Sequence, residues 1–238
     1  MQYSIFCDFD GTITKDDSID LILQSFSVNE KWKGIERQWA SGVIGSKECL
    51  MKQFSEIRMD RNDIFDIAKK LRLEDGFIEF SRFCNNNNIP LYIISDGISS
   101  LIQYFLRLHG LHFTAIYANY LEFTSGRKAE FVPLSDSDTS YSCRHEVTCA
   151  NCKSLVIKHI IRTDHIRLDD TIYIGDGASD ISGALECETV FAKEKLATLL
   201  YSRGKKSHLF NDFQEILKAI KNDQHQRMAG MTVESEAK

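Results

Sequence analysis

The sequence predicts an α/β protein, with a doubly wound, parallel-sheet (Rossmann-like) core and an inserted all-helical segment. Short β-rich runs alternate with single helical periods along most of the 238 residues. Strands joined by single helices form parallel sheets that carry helices on both faces. One stretch of about 58 residues after the first strand shows only helical patterning, which predicts the inserted segment.

The predicted strands are short apolar runs that end in turn residues. The first, YSIFCDF (3–9), predicts a buried strand. NNNN (85–88), before Ile89 and Pro90, ends a helix and turns the chain into the next strand. The remaining strands are predicted at 91–97, 114–123, 171–177 and 188–192, and the helices of the core at 76–86, 98–109, 153–163, 178–186 and 211–221.

Residues 16–73 are predicted to form a separate helical block. Four amphipathic patterns follow one another there without an intervening strand: SIDLILQSF, EKWKGIERQWA, SKECLMKQFSEI and RNDIFDIAKKL. The catalytic α/β core is then expected to comprise 1–15 and 74–222. Residues 223–238 lack periodicity and are expected to form a flexible tail.

The composition is that of an ordinary globular protein, with 43% hydrophobic residues, 26% charged residues and a net charge of −5. This charge gives no reason to expect nucleic acid as a partner. No apolar run approaches the roughly 20 residues of a membrane-spanning helix, and the chain passes from Met1 directly into the first strand, so no secretory leader is expected. The odd number of cysteines, seven, favours reduced thiols and a cytoplasmic location. We expect a monomer or a homodimer.

Carboxylates follow two of the predicted strands. Asp8 and Asp10 come after the first strand, and Asp176 and Asp180 accompany the end of the strand at 171–177. Ligands of such sheets bind beyond the carboxyl ends of the strands, where these side chains would meet. Close carboxylates repel unless a cation lies between them, and hard oxygen ligands suit Mg²⁺. The sequence therefore predicts a magnesium site at this edge.

Glycines and a serine at the same edge are suited to an anion. Ser95 and Gly97 end the strand at 91–97, and Gly11 and Gly177 accompany the aspartates. Glycine lets backbone N–H groups approach an anion closely, and a carboxylate nucleophile can form an aspartyl-phosphate. Each short motif alone is typical of a turn or a capped strand exit. Their joint occurrence at three strand ends favours phosphoryl transfer.

Four segments, in order, resemble the motifs of the haloacid dehalogenase-like phosphatase superfamily. They are DFDGTIT (8–14), IISDG (93–97), a lysine at 153 that opens a helix, and GDGASD (175–180). The resemblance spans residues 3–192, and the helical block resembles the C1-type cap of that family, as in phosphoserine phosphatase. It implies a Mg²⁺-dependent phosphoric monoester hydrolase that acts on a small phosphorylated metabolite.

The resemblance implies catalytic and metal-binding roles for the four aspartates. Asp8 would be the nucleophile and a Mg²⁺ ligand. Asp10 would protonate the leaving oxygen and then activate the hydrolytic water, while its backbone carbonyl contacts Mg²⁺. Asp176 would ligate the metal, and Asp180 would orient the magnesium shell.

The resemblance also implies a phosphate-binding set. Ser95 would hold a phosphate oxygen, and the backbone around Gly97 would contribute N–H groups. Lys153 would neutralise charge on both Asp8 and the phosphoryl group. Taken alone, a lysine in the first turn of a helix is typically a solvated side chain.

The helical block contains candidate residues for substrate recognition. Asp17, nine positions after Asp8, matches an acidic residue of phosphoserine phosphatases. Their arginine for the substrate carboxylate falls on Gln53, and a neutral amide grips a carboxylate less strongly than a guanidinium. Lys47 or Arg58 could replace that arginine.

The whole pattern looks closer to the 2-hydroxy-3-keto-5-methylthiopentenyl-1-phosphate phosphatases of methionine salvage. Those proteins resemble this chain in the phrase GVIGSKECLMKQ (42–53) and in a cysteine-bearing insertion that ends in Cys-Lys. The phosphocholine and phosphoethanolamine phosphatases share a related Cys-Lys ending. Many relatives have arginine where Lys47 stands. The lysine ammonium is a point charge without the forked hydrogen-bonding geometry of a guanidinium, so the identity of the substrate stays open.

Two further classes of function use the same fold. A phosphotransferase or mutase would share the aspartyl-phosphate chemistry and differ in its product. A non-catalytic binding module would keep the fold without the reaction. The second is disfavoured because all five charged motif positions are filled, namely Asp8, Asp10, Lys153, Asp176 and Asp180.

The stretch YSCRHEVTCANCK (141–153) has three possible interpretations. Cys143, His145, Cys149 and Cys152 could supply four ligands for a structural Zn²⁺. Plain reduced thiols are the second possibility, and a disulfide is the least favoured in a cytoplasmic protein.

Trp32 and Trp39 lie seven residues apart on one predicted helical face. They could line a substrate pocket for an apolar group. Alternatively, they pack the small core of the helical block itself.

Overall fold

A computed structural model describes residues 3–137 and 148–236. Seven strands form one sheet in the order β4-β3-β2-β1-β5-β6-β7. Neighbouring strands are parallel throughout, except for the antiparallel pair β3–β4 at one edge. The strands are β1 (Ser4–Cys7), β2 (Leu91–Ile98), β3 (Ala115–Thr124), β4 (Lys128–Val132), β5 (Thr171–Gly175), β6 (Thr189–Ala192) and β7 (His208–Leu209).

Four helices lie between β1 and the helix that leads into β2. They are α1 (Ser18–Phe26), α2 (Lys31–Ala40), α3 (Ser46–Ser55) and α4 (Arg61–Lys70), followed by α5 (Phe77–Asn86). No helix in the described part of the chain has the length and apolar character needed to span a membrane. The remaining helices are α6 (Ser99–Leu108), α7 (Leu134–Ser137), α8 (Lys153–Thr163), α9 (Ile181–Ala184), α10 (Glu194–Tyr201) and α11 (Phe213–Glu236).

The sheet is covered on both faces because successive side chains of a strand point to opposite sides. Ile5 belongs to one hydrophobic cluster, which also takes in α5, α6, α11 and the apolar face of the helical block. Phe6 belongs to the other, which α8 and α10 complete. Strands buried on both faces are nearly continuous apolar runs, as β1 and β5 are. The predicted α/β, Rossmann-like fold class is confirmed.

The predicted alternation of strand and helix is wrong at one edge of the sheet. β3 is followed by β4 through a tight turn in which Gly126 has a φ of 75°, and the two strands pair from Tyr120↔Val132 to Thr124↔Lys128. The outer half of β3 alternates between exposed and half-buried residues, as is typical of antiparallel strands with one face toward solvent. Antiparallel neighbours can be joined by a short turn, so no crossover helix is needed. The elements α7, α10 and β7 were also not predicted from the sequence.

The last helix extends beyond its predicted end. The period at 211–221 corresponds to α11, which begins at Phe213 and continues to Glu236. Phe213, Ile216 and Ile220 supply the buried apolar stripe of its first part. Past that stripe the chain contains residues of good helix propensity and no proline, so the helix can continue where the apolar period has stopped.

Two chain segments connect the helical block to the sheet, and they run side by side. Thr14 and Leu73 form an antiparallel bridge, and the N–H of Glu74 donates to the carbonyl of Ile13 at 2.9 Å. The guanidinium of Arg72 pairs with Asp16 at 2.6 Å. The entry to the block therefore lies directly after the segment that follows β1.

The β3–β4 hairpin makes a second connection to the helical block. Arg127 pairs with Asp60 and Asp63, both at 2.6 Å, and these two aspartates form the capping box of α4. The N–H of Met59 donates to the carbonyl of Arg127. The block is thus held over the carboxyl edge of the sheet from two sides.

Candidate active site

A cavity of about 250 Å³ lies between the carboxyl ends of the strands and the helical block. The ends of β1 and β5, the residues of β2 from Ser95 to Gly97 and the start of α8 form its floor, and α1, α2 and α3 contribute its upper wall. The residues singled out from the sequence that line it are Asp8, Asp10, Asp17, Trp39, Gln53, Ser95, Gly97, Lys153, Asp176 and Gly177.

The centre of the floor is a buried lysine between two buried carboxylates. The ammonium of Lys153 lies 2.8 Å from Asp8 Oδ1 and 2.6 Å from Asp180 Oδ1, and the side chain of Lys153 is 1% exposed. Burial by itself would lower the pKa of Lys153, but Asp180 and Asp8 raise it above its ordinary value. The lysine therefore keeps its charge.

Asp180 is held by four donors. Its Oδ1 accepts hydrogen bonds from Lys153 and from the Tyr173 hydroxyl at 2.7 Å. Its Oδ2 accepts from the N–H groups of Asp176 and Gly177 at 2.9 and 3.0 Å. Burial opposes its ionisation, but Lys153 and these hydrogen bonds lower the pKa of Asp180. A carboxylate whose lone pairs are all engaged fixes the loop after β5.

Asp176 completes a group of three carboxylates. One ligand oxygen from each of Asp8, Asp176 and Asp180 lies within 4.8 Å of the others. Burial, followed by the charge of Asp180, raises the pKa of Asp176 to about 6. Burial and Asp180 also raise the pKa of Asp8, against the effect of Lys153. This excess of negative charge and the hard oxygen donors fit a bound Mg²⁺.

Gly11 is required by the close approach of two loops. It has a φ of 71°, and a Cβ at this position would lie 2.7 Å from Asp176 Oδ2. The hydroxyl of the next residue, Thr12, donates to Asp176 Oδ1 at 3.2 Å. Any side chain at position 11 would push these two loops apart.

Asp10 lies beside the cluster and points toward β2. Its Oδ1 accepts from the N–H of Ser18 at 2.7 Å, at the start of α1. Burial, followed by the charge of Asp17, raises the pKa of Asp10 to about 8. A carboxyl group of this pKa can be protonated near neutral pH, which suits a general acid.

Ser95 and Gly97 occupy the wall beside Asp10. Ser95 is 1% exposed, and its hydroxyl accepts from the Gly97 N–H at 2.9 Å. A Cβ at position 97 would lie 2.8 Å from Asp10 Oδ2 and 3.1 Å from Ser95 Oγ. Glycine therefore lets the hydroxyl, the backbone and the Asp10 carboxyl share one small space.

A polar network that was not predicted from the sequence lies behind this wall. The Asn151 side-chain amide donates to the carbonyls of Ser95 and Tyr117 at 2.9 and 2.8 Å, and the Asn151 N–H donates to Asp96 Oδ1 at 3.2 Å. Asn119 donates to the carbonyl of Asp96 at 2.7 Å. The network shapes the end of β2 and fixes the segment before Lys153. Its only sequence signal was the adjacency of Asp96 and Asn151 to two predicted motifs.

The wall formed by the helical block is acidic. Glu36 accepts from Gln53 Nε2 at 2.9 Å, and Asp17 accepts from the N–H of Asp20 at 2.9 Å. Partial desolvation raises the pKa of Asp20, and the charge of Glu36 raises it further. Gln53 is fully buried, and its Oε1 has no hydrogen-bond partner. Asp20 and Glu36 were not predicted, because exposed charges on an amphipathic helix are usually only its solvated face.

Of the remaining substrate-binding candidates in the helical block, one lines the cavity and the others lie elsewhere. Trp39 lines the cavity, whereas Trp32 packs against the larger hydrophobic cluster. Lys47 does not line the cavity, and its ammonium pairs with Asp136. Arg58 donates to the carbonyl of Ile57 and lines a separate groove beside β4.

The predicted zinc ligands are only partly covered by the structure. Cys143 and His145 lie outside the described residues. Cys152 is buried directly before α8, and Cys149 is half-buried. Among residues 3–137 and 148–236, the group with metal-binding spacing is the aspartate cluster and includes neither cysteine. The zinc site stays a prediction.

Comparison with known protein families and sequences identifies the relatives of this chain. A family described as Putative Phosphatase matches residues 3–195. The 2-hydroxy-3-keto-5-methylthiopentenyl-1-phosphate phosphatase of Lysinibacillus sphaericus is 30% identical over 198 residues, which are 82% of this chain and 84% of the relative. The protein of the same description from Brevibacillus brevis is 30% identical over 226 residues, 93% of this chain and 96% of the relative.

Solved structures show the same fold at lower identity. A substrate-bound phosphoserine phosphatase has a TM-score of 0.72 and 22% identity, covering 92% of this chain and 98% of that chain. A phospho-aspartyl intermediate analogue of phosphoserine phosphatase has a TM-score of 0.70, with the same identity and coverage.

Replacing Lys153 tests the central ion pair. We expect Lys153→Met to lower the free energy of unfolding by about 3–5 kcal/mol, because two buried carboxylates lose their cation. Urea unfolding followed by circular dichroism measures this change.

Lys158→Met is the matched control for that measurement. Lys158 lies in the same helix, and its side chain is 57% exposed where it pairs with Glu186 at 2.9 Å. Exposed pairs contribute up to about 1 kcal/mol. Equal losses in the two variants would contradict a special role for the buried pair.

Proposed function

The chain belongs to the putative phosphatase family, and we propose that it is a magnesium-dependent phosphomonoesterase whose substrate resembles 2-hydroxy-3-keto-5-methylthiopentenyl-1-phosphate. Family membership makes it a phosphoric monoester hydrolase with the haloacid dehalogenase-like fold. The observation that carries the proposal is the contact of Lys153 with both Asp8 and Asp180, beside Asp176. The methylthio enol-phosphate is supported by the description of the curated relatives.

In the proposed first half-reaction, Asp8 attacks phosphorus. A bond forms between an Asp8 oxygen and phosphorus while the ester P–O bond breaks. Asp10 gives its proton to the leaving oxygen, a role that fits its raised pKa. Lys153 holds Asp8 in place and offers its positive charge to the phosphoryl oxygens, while Ser95 and the backbone near Gly97 bind another side of the group.

In the second half-reaction, water replaces Asp8. Asp10, now ionised, accepts a proton from the water as its oxygen bonds to phosphorus. The bond between phosphorus and Asp8 breaks, and inorganic phosphate leaves. Asp10 is then protonated again, so both catalytic residues return to their starting forms.

The three-aspartate group indicates how the metal would be held. We propose that Asp8, Asp176 and the backbone carbonyl of Asp10 would ligate Mg²⁺, which would neutralise charge on the phosphoryl group when bound. Asp180 has all four lone-pair positions engaged by donors. Its proposed role is therefore to support the Asp176 loop and Lys153.

A second substrate class is favoured by the acidic wall. Asp17, Asp20 and Glu36 border the part of the cavity formed by the helical block, and an ammonium group placed among them would relieve their mutual repulsion. Phosphoserine, phosphocholine and phosphoethanolamine carry such a cation. Gln53 offers no positive charge for a carboxylate, which favours the amino-alcohol esters over phosphoserine.

We propose that residues 16–73 act as a cap and that 1–15 and 74–222 form the catalytic core. The upper wall of the cavity comes from the first three helices of the block, while every proposed catalytic group comes from the core. This separation assigns substrate choice to the cap and chemistry to the sheet edge. We further propose a cytoplasmic monomer or homodimer, on the grounds of cysteine usage and of a site assembled within one chain.

Asp8→Asn should abolish turnover of p-nitrophenyl phosphate. An amide is a poor nucleophile, so kcat is expected to fall by about 10³-fold or more. Circular dichroism must show that the variant remains folded. Asp169→Asn, at a carboxylate that is 72% exposed, is the control and should leave kcat unchanged. Retained turnover in Asp8→Asn would refute the assignment.

Chelation tests the proposed metal. Dialysis against EDTA should remove p-nitrophenyl phosphate turnover, and added Mg²⁺ should restore it, because the carboxylate group is otherwise left without its counter-charge. Asp176→Asn should raise the Mg²⁺ concentration for half-maximal activity by at least about 10-fold. Full activity after chelation would contradict a magnesium requirement.

A substrate panel tests the proposed specificity. The kcat/KM values of the methylthio enol-phosphate, phosphoserine, phosphocholine and phosphoethanolamine should be compared, with free phosphate as the product measured. We expect the highest value for the methylthio enol-phosphate. A clear preference for the amine esters would establish the second class instead, and transfer of phosphate to another metabolite would indicate a phosphotransferase.

Glu36→Gln separates the two substrate classes. Loss of one charge-assisted contact should raise KM for phosphoethanolamine by about 10-fold if an ammonium binds the acidic wall. The methylthio ester carries no cation, so its KM should not change. Glu48→Gln is the control because Glu48 pairs with Lys52 on an exposed face of α3. Unchanged KM for both esters would remove the acidic wall as an ammonium site.

A further inference from the structure

One lysine outside the proposed catalytic set reaches two segments that both matter to the site. Lys193 directly follows β6 and precedes α10. Its ammonium donates to the carbonyl of Gly11 at 2.8 Å and to Glu74 Oε2 at 2.7 Å. A single cation therefore bridges Gly11 and Glu74, which are 63 residues apart in the sequence.

The first partner belongs to the loop that carries Asp8 and Asp10. Gly11 has a φ of 71° and lies against the Asp176 carboxylate. The N–H groups of Thr12 and Ile13 donate back to the carbonyl of Phe9 at 3.3 and 2.8 Å, so the loop is closed on itself. The Gly11 carbonyl points out of this closed loop toward Lys193. Its position affects how the loop lies against the Asp176 carboxylate.

The second partner lies where the helical block returns to the core. The Glu74 side chain is 9% exposed, and the Glu74 N–H donates to the carbonyl of Ile13 at 2.9 Å. Thr14 and Leu73 form the bridge beside it. Glu74 is thus fixed to both segments that connect the block with the sheet.

We propose that Lys193 is a positioning residue that ties the Asp8–Asp10 loop to the junction of the helical block. This inference rests on the proposed roles of Asp8 and Asp10. The Lys193 N–H also donates to the carbonyl of Gly175, the last residue of β5, at 3.0 Å, but this backbone contact does not depend on the lysine side chain. Its side-chain contacts therefore join the loop of Asp8 and Asp10 to the connection with the block. Movement of the block relative to the sheet would be transmitted to the nucleophile through this lysine.

A purely structural lysine elsewhere in the core provides the comparison. Lys205 also binds backbone carbonyls, those of Cys187 at 2.6 Å and Glu188 at 3.2 Å. Neither of these partners lines the cavity. Lys205→Met removes a similar lysine-to-carbonyl contact without touching the catalytic loops, so it separates loss of stability from loss of positioning.

The test compares Lys193→Met with Lys205→Met on p-nitrophenyl phosphate. Methionine keeps an unbranched apolar stem and removes the donors. We expect Lys193→Met to lower kcat by on the order of 10- to 100-fold with KM changed by less than about 3-fold, since small misplacement of a reacting group has effects of this size. Lys205→Met should leave both constants unchanged. Lys193→Arg, which can still donate to both partners, should recover most of kcat.

Hydrogen exchange gives a readout that does not depend on turnover. The peptide covering residues 8–15 should exchange at least about 10-fold faster in Lys193→Met than in the wild type or in Lys205→Met, because its loop loses an anchor. If the wild type fails to hydrolyse p-nitrophenyl phosphate, the proposed function is refuted while this exchange result still decides the positioning role. Equal kcat and equal exchange in Lys193→Met and Lys205→Met would overturn the inference.

Where Lys193→Met does not fold, Glu74→Leu supplies the second variant. It removes the acceptor while Lys193 remains, and it should also lower kcat and speed exchange in residues 8–15. Glu74→Gln retains an acceptor oxygen and should behave like the wild type. The inference fails if Glu74→Leu folds and keeps wild-type kcat and exchange.

Discussion

The structure depends on the concentration of negative charge at one edge of a sheet. Asp8, Asp176 and Asp180 converge there because two neighbouring parallel strands, β1 and β5, end side by side. Buried like charges are unfavourable unless they are compensated. Lys153, almost fully buried, supplies the fixed part of that compensation through Asp8 and Asp180, and the remaining charge is suited to a divalent cation. The excess of buried negative charge, which is unfavourable for folding, thus also creates the site for phosphate chemistry.

The helical block changes what this edge can bind. Without it, the carboxylates would face open solvent, where their interactions are weakened by the high dielectric. With it, a small cavity forms whose floor is built for a phosphoryl group and whose opposite wall is acidic. Trp39, Glu36 and Gln53 line this wall, and under the proposed function they would contact the leaving group, so the block would select between esters that the floor treats alike. Relatives can therefore share the chemistry and differ in substrate.

The block and the nucleophile loop are mechanically adjacent because the block is inserted directly after β1. The segments entering and leaving it form a short bridge at Thr14 and Leu73, and Glu74 and Lys193 connect this bridge to Gly11. The position of the insertion therefore places the helical block in contact with the segment that carries Asp8 and Asp10.

The sequence alone determined the fold class, the helical block and the residues at the strand ends, because the apolar periods and the motifs around Asp8, Ser95, Lys153 and Asp176 are local patterns. Local patterns do not report which side chains meet across the fold. The antiparallel β4, the acidic wall with Glu36, the network of Asn151 and the reach of Lys193 depend on contacts between distant segments, and Lys47 was predicted near the substrate although its ammonium pairs with Asp136. The physical reason is that a motif fixes where a residue sits along an element, whereas packing of the elements decides what that residue touches.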